Sequence, residues 1–208
     1  MLIWDLCCGT KSVSNVWRAA RLEPLTLDSD PKCSPDVCID IMSWEYTDFS
    51  LEPPDFIWCS PPCQQHSIAR SKAKTPRDLE GSDAISQRCL DIIRYWRPRY
   101  WVIENPQTGL LRKRNVVEGI PFKDVDYCMY QSPPMYRKRT RLWTNCNDWI
   151  PRPRCTHETH RFTAQKGPSK RAGQLIRGDD CSLQTLHSVP ESLTTELMLY
   201  CKNETQEE

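Results

Sequence analysis

The chain has 208 residues, 38% of them hydrophobic and 26% charged, with a formal net charge of +1, enough apolar side chain to close one ordinary domain core. Eight Trp and seven Tyr exclude wholesale disorder, because such rings need burial. A mean hydropathy of −0.64, no run near ~18 apolar residues and a start, Met1–Asp5, lacking a basic and apolar leader argue against a membrane span and a secretory signal.

Leu2–Leu6 reads as a short buried strand ending at the small-residue turn Cys7-Cys8-Gly9-Thr10. Ser12–Leu22 has helical spacing through Val13, Val16, Trp17 and Ala20, with Ser12 as the expected N-cap. Leu25–Leu27 is a second strand, closed by Asp28; Val37–Ile39 is a third, closed by Asp40; Phe56–Cys59 is a fourth, closed by Ser60-Pro61-Pro62-Cys63. Gln64–Gly81 is polar and basic and reads as a loop. A helix follows over Ala84–Arg97, then a fifth strand, Tyr100–Ile103, closed by Glu104-Asn105-Pro106. This alternation predicts a doubly wound, mostly parallel α/β sheet, whose ligands bind outside the carboxyl ends of the strands. Residues 144–187 lose all periodicity and read as a small basic insertion; Glu191–Cys201 returns to helical spacing before a polar tail.

Charge is unevenly spread. Residues 1–60 hold ten acidic and four basic side chains, whereas residues 137–177 hold eleven basic and two acidic ones. An acidic end suited to a small molecule and a basic end suited to a polyanion is one reading; two solvated faces is the other. The twelve cysteines are scattered without a disulfide framework, which favours free thiols in a reducing compartment, expected here to be the cytoplasm.

Three segments carry candidate chemistry. In Ser60-Pro61-Pro62-Cys63-Gln64-Gln65 two prolines stiffen the backbone and present one thiol at the sheet's ligand edge. Such a Cys can attack an electron-poor ring carbon, although a buried structural Cys fits the segment equally. Glu104 follows the next strand, where a partly desolvated carboxyl group can donate to a ring nitrogen; a salt-bridged edge carboxylate is the plainer alternative. In Arg137-Lys138-Arg139-Thr140-Arg141, strand alternation would aim Arg137, Arg139 and Arg141 to one side. Asp5, Asp28 and Asp40 close or end strands, and an acid after the second strand is where α/β folds grip a ribose diol. Cys146, Cys155, His157 and His160 could supply a zinc site that staples the insertion, though their spacing is not that of a standard finger.

The ordered segments Asp5-Leu6-Cys7-Cys8-Gly9-Thr10, Pro62-Cys63-Gln64, Glu104-Asn105-Pro106, Arg139-Thr140-Arg141 and His187-Ser188-Val189-Pro190 together resemble the motifs of the DNA cytosine-5 methyltransferases, especially compact phage and viral members. The resemblance covers roughly residues 1–143 and 185–201. It implies a Rossmann-like class I methyltransferase fold with residues 1–143 as the S-adenosylmethionine-binding catalytic domain. Residues 144–187 become a reduced target-recognition region, and residues 188–208 a helix returning to the catalytic domain plus a tail. It further implies that Asp5, Cys7, Gly9, Asp28, Asp40 and Ser188 surround the cofactor. Cys63 would add to C6 of a cytosine, Glu104 would contact N3, and Arg139, supported by Arg141, would orient the base. The expected partner is duplex DNA with its cytosine flipped out.

The chain departs from that family at Cys7 (usually Phe), within Thr10-Lys11-Ser12 (a missing Gly), at Pro106 (usually Val), Arg137 (usually Gln) and His187 (usually Asn). None of these removes the nucleophile or the acid. Cytosine methylation of RNA, and a decayed relative that only binds nucleic acid, are the alternative readings.

Overall fold

In the computed structural model, residues 1–68, 70, 73–131, 136–156, 162–163 and 187–203 are described. β1 (Ile3–Leu6), β2 (Leu25–Asp28), β3 (Val37–Cys38), β4 (Phe56–Cys59) and β5 (Tyr100–Pro106) are followed by β6 (Phe122–Asp126), β7 (Tyr136–Arg137), β8 (Arg139–Thr144) and β9 (Phe162–Thr163). Seven of these form one sheet in the order β3-β2-β1-β4-β5-β8-β6, and β7 pairs with β9 separately. The first five are parallel, while β8 runs antiparallel between β5 and β6.

The central strands are apolar on both faces, as strands covered by helices on each side must be. Ile3, Phe56, Trp58, Tyr100 and Val102 enter one core layer, with Val13, Val16 and Trp17 of α1 (Ser12–Ala19) and Leu193 and Leu197 of α3 (Glu191–Asn203). Trp4, Leu6, Ile57, Cys59 and Ile103 enter the other, with Cys89, Leu90, Ile92 and Ile93 of α2 (Leu79–Trp96). Trp4 closes this second layer edge-on against Trp44 and Trp96, with centroids 5.5 and 5.3 Å away, a favoured geometry for the ring quadrupoles. No described helix is long and apolar enough to cross a membrane.

Three local expectations change. Ser12 is not the cap of α1: Lys11 occupies that position at φ 55° without a side-chain cap bond. The Ser12 hydroxyl instead accepts the Val189 N–H at 2.9 Å, and Asp5 accepts the Ser14 N–H at 3.1 Å. α2 begins at Leu79 rather than Ala84, because Asp78 caps it by accepting the Gly81 N–H at 2.8 Å. β5 continues through Glu104 and Asn105 to Pro106, held there by its antiparallel pairing with β8.

Candidate active site

Strand order reverses between β1 and β4, and a doubly wound sheet opens its ligand crevice at such a point. The turn after β1 (Cys7 to Lys11) and the segment after β4 (Ser60 to Cys63) therefore lie side by side, joined by the Ser60 N–H donating to the Leu6 carbonyl at 3.0 Å. Asn105, buried on β5, donates from Nδ2 to the Pro61 carbonyl at 3.0 Å. Trp58 Nε1 donates to Ser60 Oγ at 2.8 Å. The prolines and these bonds fix where Cys63 emerges.

Cys63 is half-buried. Burial and the nearby Glu104 carboxylate push its thiol above the ordinary range, and the Lys138 ammonium pulls against both. Glu104 is buried; its Oε1 accepts the Tyr127 hydroxyl at 2.8 Å and lies 3.6 Å from Lys138 Nζ. The same ammonium sits 4.7 Å from the Tyr127 ring centroid. Cys63, Glu104, Tyr127 and Lys138 thus form one group, with His187 at its edge. Burial and Lys138 hold the His187 imidazole below its usual range while Glu104 opposes them.

The arginines divide. β8 begins at Arg139, and Arg137 belongs to the separate β7–β9 pair, so the expected single strand of three aligned arginines is interrupted at Lys138. Arg141 is committed to the protein: it grips Asp124 with two bonds of 2.7 and 2.9 Å and lies 3.5 Å over the Phe122 ring. Arg139 remains 43% exposed, with Nε 3.4 Å from Asp126 Oδ1. Of the two, only Arg139 is placed to reach outward from the sheet.

At the carboxyl ends of β1 and β2, Asp28 accepts the Gly9 N–H through Oδ2 and the Asp30 N–H through Oδ1, each at 2.9 Å. Gly9 adopts φ +46°, and a Cβ built on it would meet nothing within 4 Å, so the turn has open space above it. Ser188 Oγ reaches Thr10 Oγ1 at 3.3 Å, closing the chain's late segment onto that turn. Asp40 is exposed and accepts the Met42 N–H at 2.9 Å. Cys7 and Asp5 face inward. The Cys7 thiol bonds to Cys89 of α2, which together with burial drives it well above its usual range. Asp5 is fully buried, and desolvation raises its carboxyl to about 7 despite the Ser14 bonds.

The zinc expectation finds no support. Cys146 and Cys201 share one contact, and Cys155 pairs with Cys128 in another, so the two cysteines are engaged in different places. His157 and His160 lie outside the described residues, and no metal-holding cluster occurs among the described ones. The first part of the insertion is instead stitched to the domain: Cys146 and Trp149 are in its core, Arg152 pairs with Glu196, and Arg154 with Asp124. None of the eleven described cysteines forms a disulfide.

Sequence reading missed the partners that organise this site. Lys138 had only a partial signal: it stands in a basic run, but its place beside Glu104 depends on the break between β7 and β8. Tyr127 had none, since its role depends on where β6 ends. His66 is buried, with Nε2 2.9 Å from Asp83 Oδ1, and Asp83 Oδ2 takes a 2.6 Å bond from Arg114. That chain anchors the loop three residues beyond Cys63 to α2.

No protein-family model matches the chain. A viral protein from Frog virus 3 (isolate Goorha), named "Probable DNA (cytosine-5)-methyltransferase", is 30% identical over 221 residues, covering 97% of this chain and 100% of its own. Among solved structures, the Entamoeba histolytica methyltransferase EhMeth is similar with a TM-score of 0.53 at 12% identity, over 76% of this chain and 57% of its own. An E. coli prophage protein named as a "putative DNA modification methyltransferase" gives 0.50 at 16% identity, over 69% of this chain and 46% of its own. At these identities the structures show the fold, which is the methyltransferase type of mostly parallel sheet. This chain spans about half the length of each.

Proposed function

The chain belongs to the DNA (cytosine-5)-methyltransferase family, and from that premise we propose that it methylates C5 of cytosine in DNA through a covalent bond between Cys63 and C6. The observation that carries this reading is the pairing of a half-buried thiol and a buried carboxylate at neighbouring strand ends, beside the point where the sheet order reverses.

S-adenosylmethionine, when bound, supplies an electrophilic methyl group. The open space over Gly9 and the carboxylate of Asp28 beside it suit such a ligand, with Asp40 and Ser188 bordering the same strand ends. Asp5 and Cys7 act from behind, Asp5 by fixing the start of α1 and Cys7 by packing against α2. We assign residues 1–143 to binding and catalysis, 144–187 to contacts with the nucleic acid, and 188–208 to closing the cofactor side.

In the reaction, Cys63 Sγ adds as thiolate to C6 and forms an S–C bond. Glu104, taking up a proton as the base enters, donates a hydrogen bond to N3, stabilises the electron density this releases into the ring and makes C5 nucleophilic. Once C5 is methylated, release of its proton to water and expulsion of the Cys63 thiolate restore the aromatic ring. Arg139, the outward arginine of β8, orients the base, and Arg141 holds that strand through Asp124. Because C5 and C6 are shielded in the stack, a duplex cytosine has to be flipped out. Phosphate contacts from a short basic insertion give affinity with little sequence selectivity. The free thiols suit a reducing compartment, the cytoplasm of a bacterium or an infected host cell.

The test is nucleoside mass spectrometry after incubation with S-adenosylmethionine and either duplex DNA or RNA of the same sequence. The expected product is 5-methyldeoxycytidine, abolished by Cys63→Ser. Methylation of RNA alone would move the substrate, and tight DNA binding without either product would make the protein a binder.

A further inference from the structure

We propose that Lys138 is a positioning residue that supplies the counter-charge for the Cys63 thiolate, holding Glu104 and Cys63 ready in the same buried space. The inference rests on the reading of Cys63 as the nucleophile. A Lys side chain only 11% exposed is uncommon and calls for a compensating partner. Lys138 has one in Glu104 at 3.6 Å and a second contact in the Tyr127 ring at 4.7 Å. Its position is built into the backbone: the Lys138 carbonyl accepts the Tyr127 N–H, and the next carbonyl, of Arg139, accepts the Gln107 N–H, both at 3.0 Å. The residue is therefore clamped between the turn after β6 and the end of β5.

The charge arithmetic gives this placement a purpose. At rest the group holds one carboxylate and one ammonium. When Cys63 releases its proton to water, a second negative charge appears beside Glu104, in a site that disfavours it through burial and through that carboxylate. Lys138 keeps the cluster at a net single negative charge rather than two. The titratable and charged groups facing it are Glu104 from β5, Tyr127 from the turn after β6, Cys63 from the segment after β4 and His187 from the segment before α3. His187 is itself held below its usual range by burial and Lys138, so it adds little positive charge near neutrality.

The experiment follows alkylation of Cys63 by iodoacetamide across pH 6 to 10 in the protein without substrate, with the Cys63 peptide quantified by mass spectrometry. Only the thiolate displaces iodide, so the midpoint of the rate reports ionisation directly. Lys138→Met and Lys138→Gln should move that midpoint up by about one pH unit, slowing alkylation about tenfold below both midpoints, and Lys138→Arg should restore most of it. Glu104→Gln should move it down, a result that does not depend on whether the Lys138 variants fold. A folded Lys138→Met or Lys138→Gln protein whose midpoint coincides with the parent's would overturn the proposal, whatever Glu104→Gln does. Shifted midpoints in a protein that methylates nothing would leave the counter-charge standing and remove the catalytic reading instead.

Discussion

Asp5 offers a quantitative check on how the sheet's ligand edge is assembled. Its carboxyl is fully buried and raised to about 7, chiefly by desolvation, although the Ser14 bonds partly oppose the shift. An unfolded chain releases this proton near pH ~3.9. Below about pH 4 Asp5 is protonated in both states and the full stability is present. As the pH rises toward 7 the unfolded chain loses its proton while the folded protein holds it, so stability falls. Above about pH 7 the loss is complete and amounts to on the order of 4 kcal/mol. Asp5→Asn preserves the shape and an oxygen that can accept the Ser14 N–H, but it cannot ionise. Urea unfolding of both proteins, pH 4 to 8.5, should show the Asn variant gaining relative to the parent through this window, by a few kcal/mol in all. Stability curves that stay parallel between pH 4 and 8 would refute the desolvated Asp5 described above.

Further substitutions probe the neighbouring contacts. Tyr127→Phe removes the 2.8 Å hydroxyl bond to Glu104 while keeping the ring under Lys138; a hydrogen bond to a charged group contributes about 1.5–3 kcal/mol, so methylation should slow about tenfold or more, measured as kcat. Asp83→Ala strips His66 and Arg114 of a shared partner; a loss of about 2 kcal/mol in chemical denaturation and a slower reaction are expected, because the loop beyond Cys63 loses its anchor. Arg141→Met breaks the bidentate pair with Asp124 and should lower the melting temperature more than Arg139→Met, whose side chain is largely outside; Arg139→Met should instead weaken base positioning, read as a fall in kcat/KM.

The parallel half of the fold was legible because its strands are short apolar runs cut by turn residues, as in Phe56–Cys59 before Ser60-Pro61-Pro62. Both faces are buried, so Ile3 and Trp4 need no polar alternation to sit in one strand. β6 was not legible: Phe122-Lys123-Asp124-Val125-Asp126 has the polarity of a loop, and its two acids find their partners in Arg139 and Arg141 across β8 and in Arg154. Cys63 and Glu104 were visible as residues at strand ends, yet what tunes them was not. Tyr127 and Lys138 lie 23 and 34 positions beyond Glu104 in the sequence and reach it only through the antiparallel edge. The contact of Cys7 with Cys89 was hidden for a related reason, since it follows from a left-handed backbone at φ 55° that no sequence periodicity announces.

The central claim is that Cys63 bonds to C6 of a cytosine in DNA. Duplex DNA carrying 5-fluorocytosine tests it, because fluorine at C5 cannot leave as a proton does and the adduct is trapped. Incubation with S-adenosylmethionine should yield a species that survives a denaturing gel and maps to the Cys63 peptide, and it should vanish in Cys63→Ala. A trapped complex that persists in Cys63→Ala, or no complex in a protein that still forms 5-methyldeoxycytidine, would contradict the account.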